Sequence, residues 1–281
     1  MRTIEKISAA VIISRPVNLI ITFFSIGVAG IICTKGALDT NRIFLAMVSG
    51  MLVAAAGNII NDIFDLEIDM VNKPARPLPQ GKLTLSETSI IYAAVSIAAI
   101  LLSALASVNC FIIAVITSAL LFLYSYKFKR IILLGNLIIA FITGLAFIYG
   151  GTAAGNIEGA FIPAVFAFLI NFIRELVKDM EDIKGDLKKN ISTFPHRFGY
   201  AKTKTLIFFT AVVLILLSVC PFILKIYAVE YFLIVMLIVN PILVYFLKSL
   251  KSDDSVANLN KLSLLLKLNM VFGLTAIFFG K

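Results

Sequence analysis

The chain reads as all-α, a polytopic membrane bundle of nine transmembrane helices, and three observations predict it. Of its 281 residues, 60% are hydrophobic and only 15% charged, where a soluble domain carries roughly a quarter charged residues. Its mean hydropathy is +1.01. Most of the length divides into apolar runs of about 17 to 25 residues, the span a helix needs to cross hydrocarbon while satisfying its own backbone hydrogen bonds. Lysine and arginine also alternate by loop, heavy on one side and sparse on the other.

The nine runs are Val17 to Thr34, Ile43 to Phe64, Thr88 to Val108, Asn109 to Tyr126, Ile131 to Gly151, Ala160 to Val177, Thr205 to Ile226, Tyr231 to Leu247 and Leu262 to Gly280. Assigning alternate loops to opposite sides puts 21 of the 25 basic residues with the N-terminal tail and the even-numbered turns, leaving Lys35, Arg42, Lys225 and Lys281 opposite. The positive-inside bias therefore predicts a cytoplasmic N-terminus and an outer C-terminus. The formal charge of +9 is spread by loop, not gathered in one soluble module, so nucleic acid is not the expected partner. Lys188, Lys189, Lys202, Lys204, Lys248 and Lys251 fit topology or anionic lipid contact.

Cys33, Cys110 and Cys220 lie in apolar helices with no CxxC spacing, so neither a disulfide framework nor a metal cluster is expected. The apolar stretch Ile7 to Ile13 is interrupted by Arg15-Pro16 with no small-residue cleavage site after it, so no removed signal peptide is expected. Residues 1–281 read as one domain.

The acidic residues carry the functional signal. Nine of the 16 fall in two short segments: Asp62, Asp65, Glu67 and Asp69 after the second run, and Glu175, Asp179, Glu181, Asp182 and Asp186 after the sixth. The loop assignment puts both on the same cytoplasmic side, where they can face one another. Asn58, Asp62, Asp65 and Asp69 fall at i, i+4, i+7 and i+11, and Glu175, Asp179, Asp182 and Asp186 repeat the pattern. On a helix each set forms one narrow stripe. Like charges so placed repel, and carboxylates at a membrane boundary resist desolvation, so a cation is needed. Carboxylate oxygens suit hard Mg2+, which shares its shell with phosphate oxygens. No His or Cys joins either stripe, which argues against zinc. The repeated spacing further suggests an internal duplication.

Basic residues flank the stripes. Asn72-Lys73-Pro74-Ala75-Arg76-Pro77-Leu78-Pro79-Gln80-Gly81 cannot continue a helix and forms a shaped loop with two cations. Tyr124-Ser125-Tyr126-Lys127-Phe128-Lys129-Arg130 ends the fourth run, Arg174 and Lys178 flank the second stripe, and Arg15 precedes the first run. Carboxylates mixed with cations suit a metal-bound polyphosphate. His196, the only histidine, has no Ser or Cys nucleophile beside it, and Gly150-Gly151 lacks the context of a phosphate loop and reads as a helix end.

Asn61-Asp62-Ile63-Phe64-Asp65-Leu66-Glu67-Ile68-Asp69, followed by Asn72-Lys73-Pro74 and Arg76-Pro77-Leu78-Pro79-Gln80-Gly81, resembles the first aspartate motif of the UbiA-type intramembrane prenyltransferases, NDxxDxxxD with a trailing RPxPxG. Asp179-Met180-Glu181-Asp182-Ile183-Lys184-Gly185-Asp186 resembles their second motif. Arg15-Pro16-Val17-Asn18 and Tyr124-Ser125-Tyr126-Lys127 with Gly135-Asn136 look like further family positions. The likeness runs from the first helix through the sixth and its following loop. Within the family, Arg174-Glu175-Leu176-Val177-Lys178-Asp179 looks most like the archaeal digeranylgeranylglyceryl phosphate synthases.

The resemblance implies helices around a central cavity, aspartates near its cytoplasmic mouth and an apolar chamber for a prenyl chain. It implies Mg2+ held by Asn61, Asp62, Asp65 and Asp69 with Asp179, Asp182 and Asp186, of which Asp65, Asp69, Asp182 and Asp186 are the expected catalytic carboxylates. Arg15, Asn18, Lys73, Arg76, Lys127, Arg174 and Lys178 are the expected substrate-binding residues. The implied donor is geranylgeranyl diphosphate and the implied acceptor the free hydroxyl of geranylgeranylglyceryl phosphate, a lipid-like molecule bearing its own phosphate. Aromatic quinone-precursor, chlorin and haem acceptors occur in the same family and stay open. Tyr124 and Tyr126 could face an allylic cation, but packing is the stronger reading in so aromatic a chain. An ion-coupled transporter would place its carboxylates near the midplane, and a CDP-alcohol phosphotransferase would need a DGxxAR core that both segments lack.

Overall fold

The computed structural model describes residues 2–188 and 193–281, with side chains from residue 4 to 183 and from 193 onward. Nine helices among the described residues are long and apolar enough to cross a membrane, each matching one expected run. The described residues pack as two compact units, one of residues 2–131, 146–160 and 188, the other of residues 132–145, 161–187 and 193–281.

In the first unit α1 (Arg2–Ile13) leads to the spanning α2 (Pro16–Cys33), α3 (Thr40–Phe64) is central, α4 (Leu66–Asn72) is short, and α5 (Leu85–Ala106) and α6 (Val108–Tyr126) form a hairpin. α3 packs on α2, α5 and α6. Lipid tails give helices no hydrophobic reason to associate, so close packing through small residues does that work. A Cβ on Gly30 would come within 2.8 Å of Ile43 Cγ2, and one on Gly57 within 2.8 Å of Leu121. Ala46, Ala99, Ala106 and Ala114 fill the same core. A buried polar pair satisfies itself inside this core, as hydrocarbon favours: the Ser49 hydroxyl lies 2.5 Å from the Tyr149 hydroxyl. α5 starts in a capping box between Thr84 and Glu87. Outward-facing Ile97, Leu101 and Leu105 are left for lipid.

α7 (Leu134–Ala153) begins in the second unit and ends in the first. Gly150 and Gly151, expected at a helix end, lie inside it, where a Cβ on Gly150 would strike the Ile26 carbonyl and Ala29 of α2. They are packing glycines.

The second unit holds α8 (Phe161–Lys188), α9 (Phe194–Ile223), α10 (Val229–Ile234), α11 (Asn240–Ser252) and α12 (Val256–Phe279). Ile173, Leu176, Val177 and Met180 of α8 are fully buried in a core shared with Ile207, Leu243, Phe246, Leu259 and Leu266. α9 begins at Phe194, well before the expected Thr205, because its first turn is set off by Gly199 at φ 80°. The eighth span contains a π-helical turn at Val235–Val239, where the Asn240 N–H reaches the Val235 carbonyl just before Pro241. Tyr231 donates its hydroxyl hydrogen to the Ser218 carbonyl at 2.7 Å, beside the kink expected of Pro221.

Candidate active site

α3 stops at Phe64 and α4 restarts at Leu66, with Asp65 between them at φ −90° and ψ 0°. The stripe expected on one helix is thus carried across a break. The backbone bonds Asp65 N to Asn61 O (2.9 Å) and Asp69 N to Asp65 O (2.8 Å) keep the two segments nearly in register. Asp62, Asp65 and Asp69 are only 3–5% exposed. Asn58, the first member of the stripe, stands apart from them and donates to the Ser14 carbonyl at 2.8 Å.

Three basic side chains meet the three carboxylates. Arg15 donates from Nη2 to Asp62 Oδ1 at 2.5 Å, and Arg76 from Nη1 to the same oxygen at 3.0 Å and to Asp69 Oδ2 at 2.5 Å. Lys129 pairs with Asp65 Oδ2, which also accepts from Asn61 Nδ2 at 2.7 Å. Each cation is delivered by a different feature. Arg15 sits in the elbow between α1 and α2 at φ 59°, a left-handed conformation uncommon outside glycine; the Asn58 bond to Ser14 holds that elbow against α3. Arg76 comes from the proline-rich loop, tied down by the bond from Lys82 N to Pro77 O (3.0 Å) and by Leu78 and Leu83, buried against Ala9, Ile13 and Ile59. Lys129 lies in the short 3₁₀ turn Phe128–Arg130 that follows α6.

The electrostatics follow from this burial. Burial pushes the Asp69 carboxyl above the ordinary carboxylate range, with Arg76 pulling the other way. Burial works against the charge on Arg76 as well, but Asp62 and Asp69 outweigh it and hold the guanidinium above its usual value.

The second stripe lies on α8, on the face opposite its fully buried Ile173, Leu176, Val177 and Met180. Glu175 accepts from Lys178 Nζ at 2.6 Å and from Arg174 Nη1 at 3.4 Å, all three on α8. Asp179 accepts from Asn136 Nδ2 at 2.8 Å, in the first turn of α7. The side chain of Asp186 and residue Lys189 lie outside the described residues.

Over residues 20–271 the sequence matches the UbiA prenyltransferase family. The chain belongs to that family. It is 31% identical to the digeranylgeranylglyceryl phosphate synthase of Methanosphaera stadtmanae, over 95% of this chain and 97% of that one. With the enzyme of the same name from Methanocaldococcus jannaschii the identity is 35%, over 98% and 97%. A solved structure concerned with digeranylgeranylglyceryl phosphate synthase in membranes superposes with a TM-score of 0.76 at 34% identity, covering 98% of both chains. A UbiA homologue from Archaeoglobus fulgidus, bound to GPP and Mg2+, shares the fold at a TM-score of 0.69 and 18% identity, over 96% of this chain and 99% of that one.

For this UbiA member, the expected site residues of the first unit divide into two groups. Arg15, Asn61, Asp62, Asp65, Asp69 and Arg76 come together. Asn18 lies half-buried in the first turn of α2, and Lys73 caps α4 through its backbone. Lys127 is exposed at the C-cap of α6, and the cation that reaches Asp65 is its second neighbour, Lys129. Asn136 gains a defined task on Asp179. The donor set of the first unit, carboxylate and amide oxygens without sulfur or imidazole, fits Mg2+. Among the described residues no three acidic, His or Cys side chains close into a ready-made metal cage; the first-unit carboxylates are turned to basic side chains.

Proposed function

We propose that this prenyltransferase carries a geranylgeranyl group from geranylgeranyl diphosphate to the free hydroxyl of geranylgeranylglyceryl phosphate, with Mg2+, in the assembly of archaeal ether lipids. The observation that carries the reading is the buried set Asp62, Asp65 and Asp69 with Arg15, Arg76 and Lys129, in a chain similar over nearly its full length to enzymes of that name. Bound Mg2+ supplies charge neutralisation at the departing diphosphate.

The rest falls to the chain's own residues. Asn61, Asp62, Asp65 and Asp69 offer carboxylate and amide oxygens to Mg2+, and Asp179, Asp182 and Asp186, expected from the sequence as metal ligands, keep that role in the proposal. Arg76, Arg15 and Lys129 bond the diphosphate oxygens and stabilise the charge that builds on them as the allylic carbon–oxygen bond breaks. Arg174 and Lys178 serve the phosphate of the acceptor. Apolar spans keep bulk water from the allylic cation until the weakly nucleophilic hydroxyl attacks. The basic-residue asymmetry supports an orientation with the N-terminus and both motifs cytoplasmic, and the proposal treats residues 1–281 as one catalytic domain.

The test is transfer by purified protein from labelled geranylgeranyl diphosphate, with Mg2+, to a panel of geranylgeranylglyceryl phosphate and aromatic acids. Product on the glyceryl phosphate alone is expected. Transfer only to an aromatic acid would refute the acceptor and leave the family standing.

A further inference from the structure

In the first unit each of the three carboxylates has one oxygen engaged by a basic side chain. Asp62 Oδ1 accepts from Arg15 and Arg76 together, Asp69 Oδ2 from Arg76, and Asp65 Oδ2 from Lys129 and Asn61. The carboxylates are 3–5% exposed, so water does not substitute for those partners. The cations are themselves largely enclosed, their side chains 23–27% exposed. A metal taking one of these oxygens therefore competes for it with a half-buried guanidinium or ammonium, and moving such a charge off its carboxylate is unfavourable unless another anion meets it.

Counting charge sharpens the point. The described ion pairs of this set match three carboxylates with three cations, Lys129 also engaging a further group. A dication entering alone leaves excess positive charge in a poorly hydrated place, whereas a dication entering with a diphosphate brings its own anion. That anion also offers what the displaced groups lack: several oxygens, in the geometry a guanidinium fork bonds best.

We infer that Arg15, Arg76 and Lys129 are exchangeable counter-ions, which occupy the first carboxylate set while diphosphate is absent and pass to the diphosphate oxygens as Mg2+ takes their places. Metal and diphosphate then bind as a pair, and bare Mg2+ binds weakly. The three cations have two tasks, neutralising the buried carboxylates and gripping the diphosphate. Arg76 is the principal member, because it spans Asp62 and Asp69 and holds both at once. The inference rests on the proposed use of this set for a metal diphosphate.

The experiment uses the full chain in detergent and measures binding, not turnover. Calorimetry with Mg2+, and electron paramagnetic resonance with Mn2+ as reporter, are run without and with inorganic pyrophosphate on the parent and on Arg76→Gln, Lys129→Gln and Arg15→Gln. Because each glutamine variant removes one counter-ion from the carboxylates, it is expected to bind the bare dication about tenfold tighter than the parent. The same variants are expected to bind pyrophosphate more weakly when metal is present. Three separate positions guard against one variant that fails to fold, and far-ultraviolet circular dichroism checks each. Bare-metal affinity unchanged or weakened in the folded variants overturns the exchange, since a purely structural cation would lower both affinities. A parent that binds no metal pyrophosphate at all removes the reading of the site, and the exchange with it.

Discussion

Asp62, Asp65 and Asp69 draw their counter-charges from three separate parts of the chain, the α1–α2 elbow, the proline-rich loop and the turn after α6. Among the described contacts, Glu175 pairs with Arg174 and Lys178 of its own helix, and Asp179 accepts from Asn136 in the first turn of the helix before it. The described contacts of the two sets thus differ in origin. The first set is assembled by tertiary structure and interrupts its helix at Asp65; the second rides an unbroken helix whose opposite face is core. The difference teaches that matching spacing fixes which residues can share a site, and leaves open which neighbours tune it. Loss of a cation should therefore be felt more at the first set, and loss of a local hydrogen bond more at the second.

The most severe test treats the sets as equals. Asp65→Ala and Asp182→Ala are each expected to abolish transfer, by on the order of a hundred- to a thousandfold, with thermal unfolding in detergent near that of the parent. Chelation with EDTA should silence the parent to the same degree, and Mg2+ should restore it. Near-normal turnover in either variant would show that only one set serves the reaction.

Next comes the pair Lys129→Met and Lys127→Met. Lys129 touches Asp65 and Lys127 is exposed, so the first is expected to lower kcat by about a hundredfold, as loss of a preorganised charge does. The second should stay within about twofold, as surface changes do. Steady-state kinetics on both decides it, and a reversed order would contradict the placement of the turn after α6.

This pair also marks how far the site was legible in the sequence. The spans were readable because a bilayer demands about 20 apolar residues per crossing, and the carboxylate sets were readable because so few acidic residues lie elsewhere. The choice of Lys129 over Lys127 was not, since the 3₁₀ turn Phe128–Arg130 changes the angle per residue just where α6 ends. The break at Asp65 was equally hidden: no proline or glycine interrupts Asn61 to Asp69, and the ion pairs that Arg15, Arg76 and Lys129 bring to that stretch come from parts of the chain distant in sequence. Gly199, at φ 80°, was a visible signal for the division within α9, since glycine is the residue that enters that region without strain.

At the second set the sharper probe is Asn136→Ala. Its amide holds Asp179 at 2.8 Å, and, with Asp179 proposed as a metal ligand, removing a hydrogen bond that orients such a carboxylate typically lowers metal affinity by about ten- to a hundredfold. The Mg2+ concentration needed for half-maximal transfer should rise by about tenfold, while turnover at saturating Mg2+ recovers most of its parent value. A loss of turnover that excess Mg2+ leaves untouched would place Asn136 in some other role.

The smallest effect is expected where an ion pair is visible but exposed. Lys6 of α1 pairs with Glu87 at the start of α5, with side chains 50% and 34% exposed, against 4% for Asp62 in its pair with Arg15. Solvent screening leaves such a surface pair little to contribute, and α1 is seated independently by Ala9 and Ile13 in the cluster with Ile59, Leu78 and Leu83. Lys6→Ala should therefore leave transfer within about twofold of the parent, because the elbow that presents Arg15 is fixed by buried contacts and by the Asn58 bond to Ser14. Kinetics in liposomes at low and high salt is the appropriate measurement, since a contribution from the pair would fade as salt rises. A tenfold loss at low salt that shrinks at high salt would mean that the surface pair and not the buried cluster positions Arg15, and the account of how the first carboxylate set is assembled would have to be redrawn around α1.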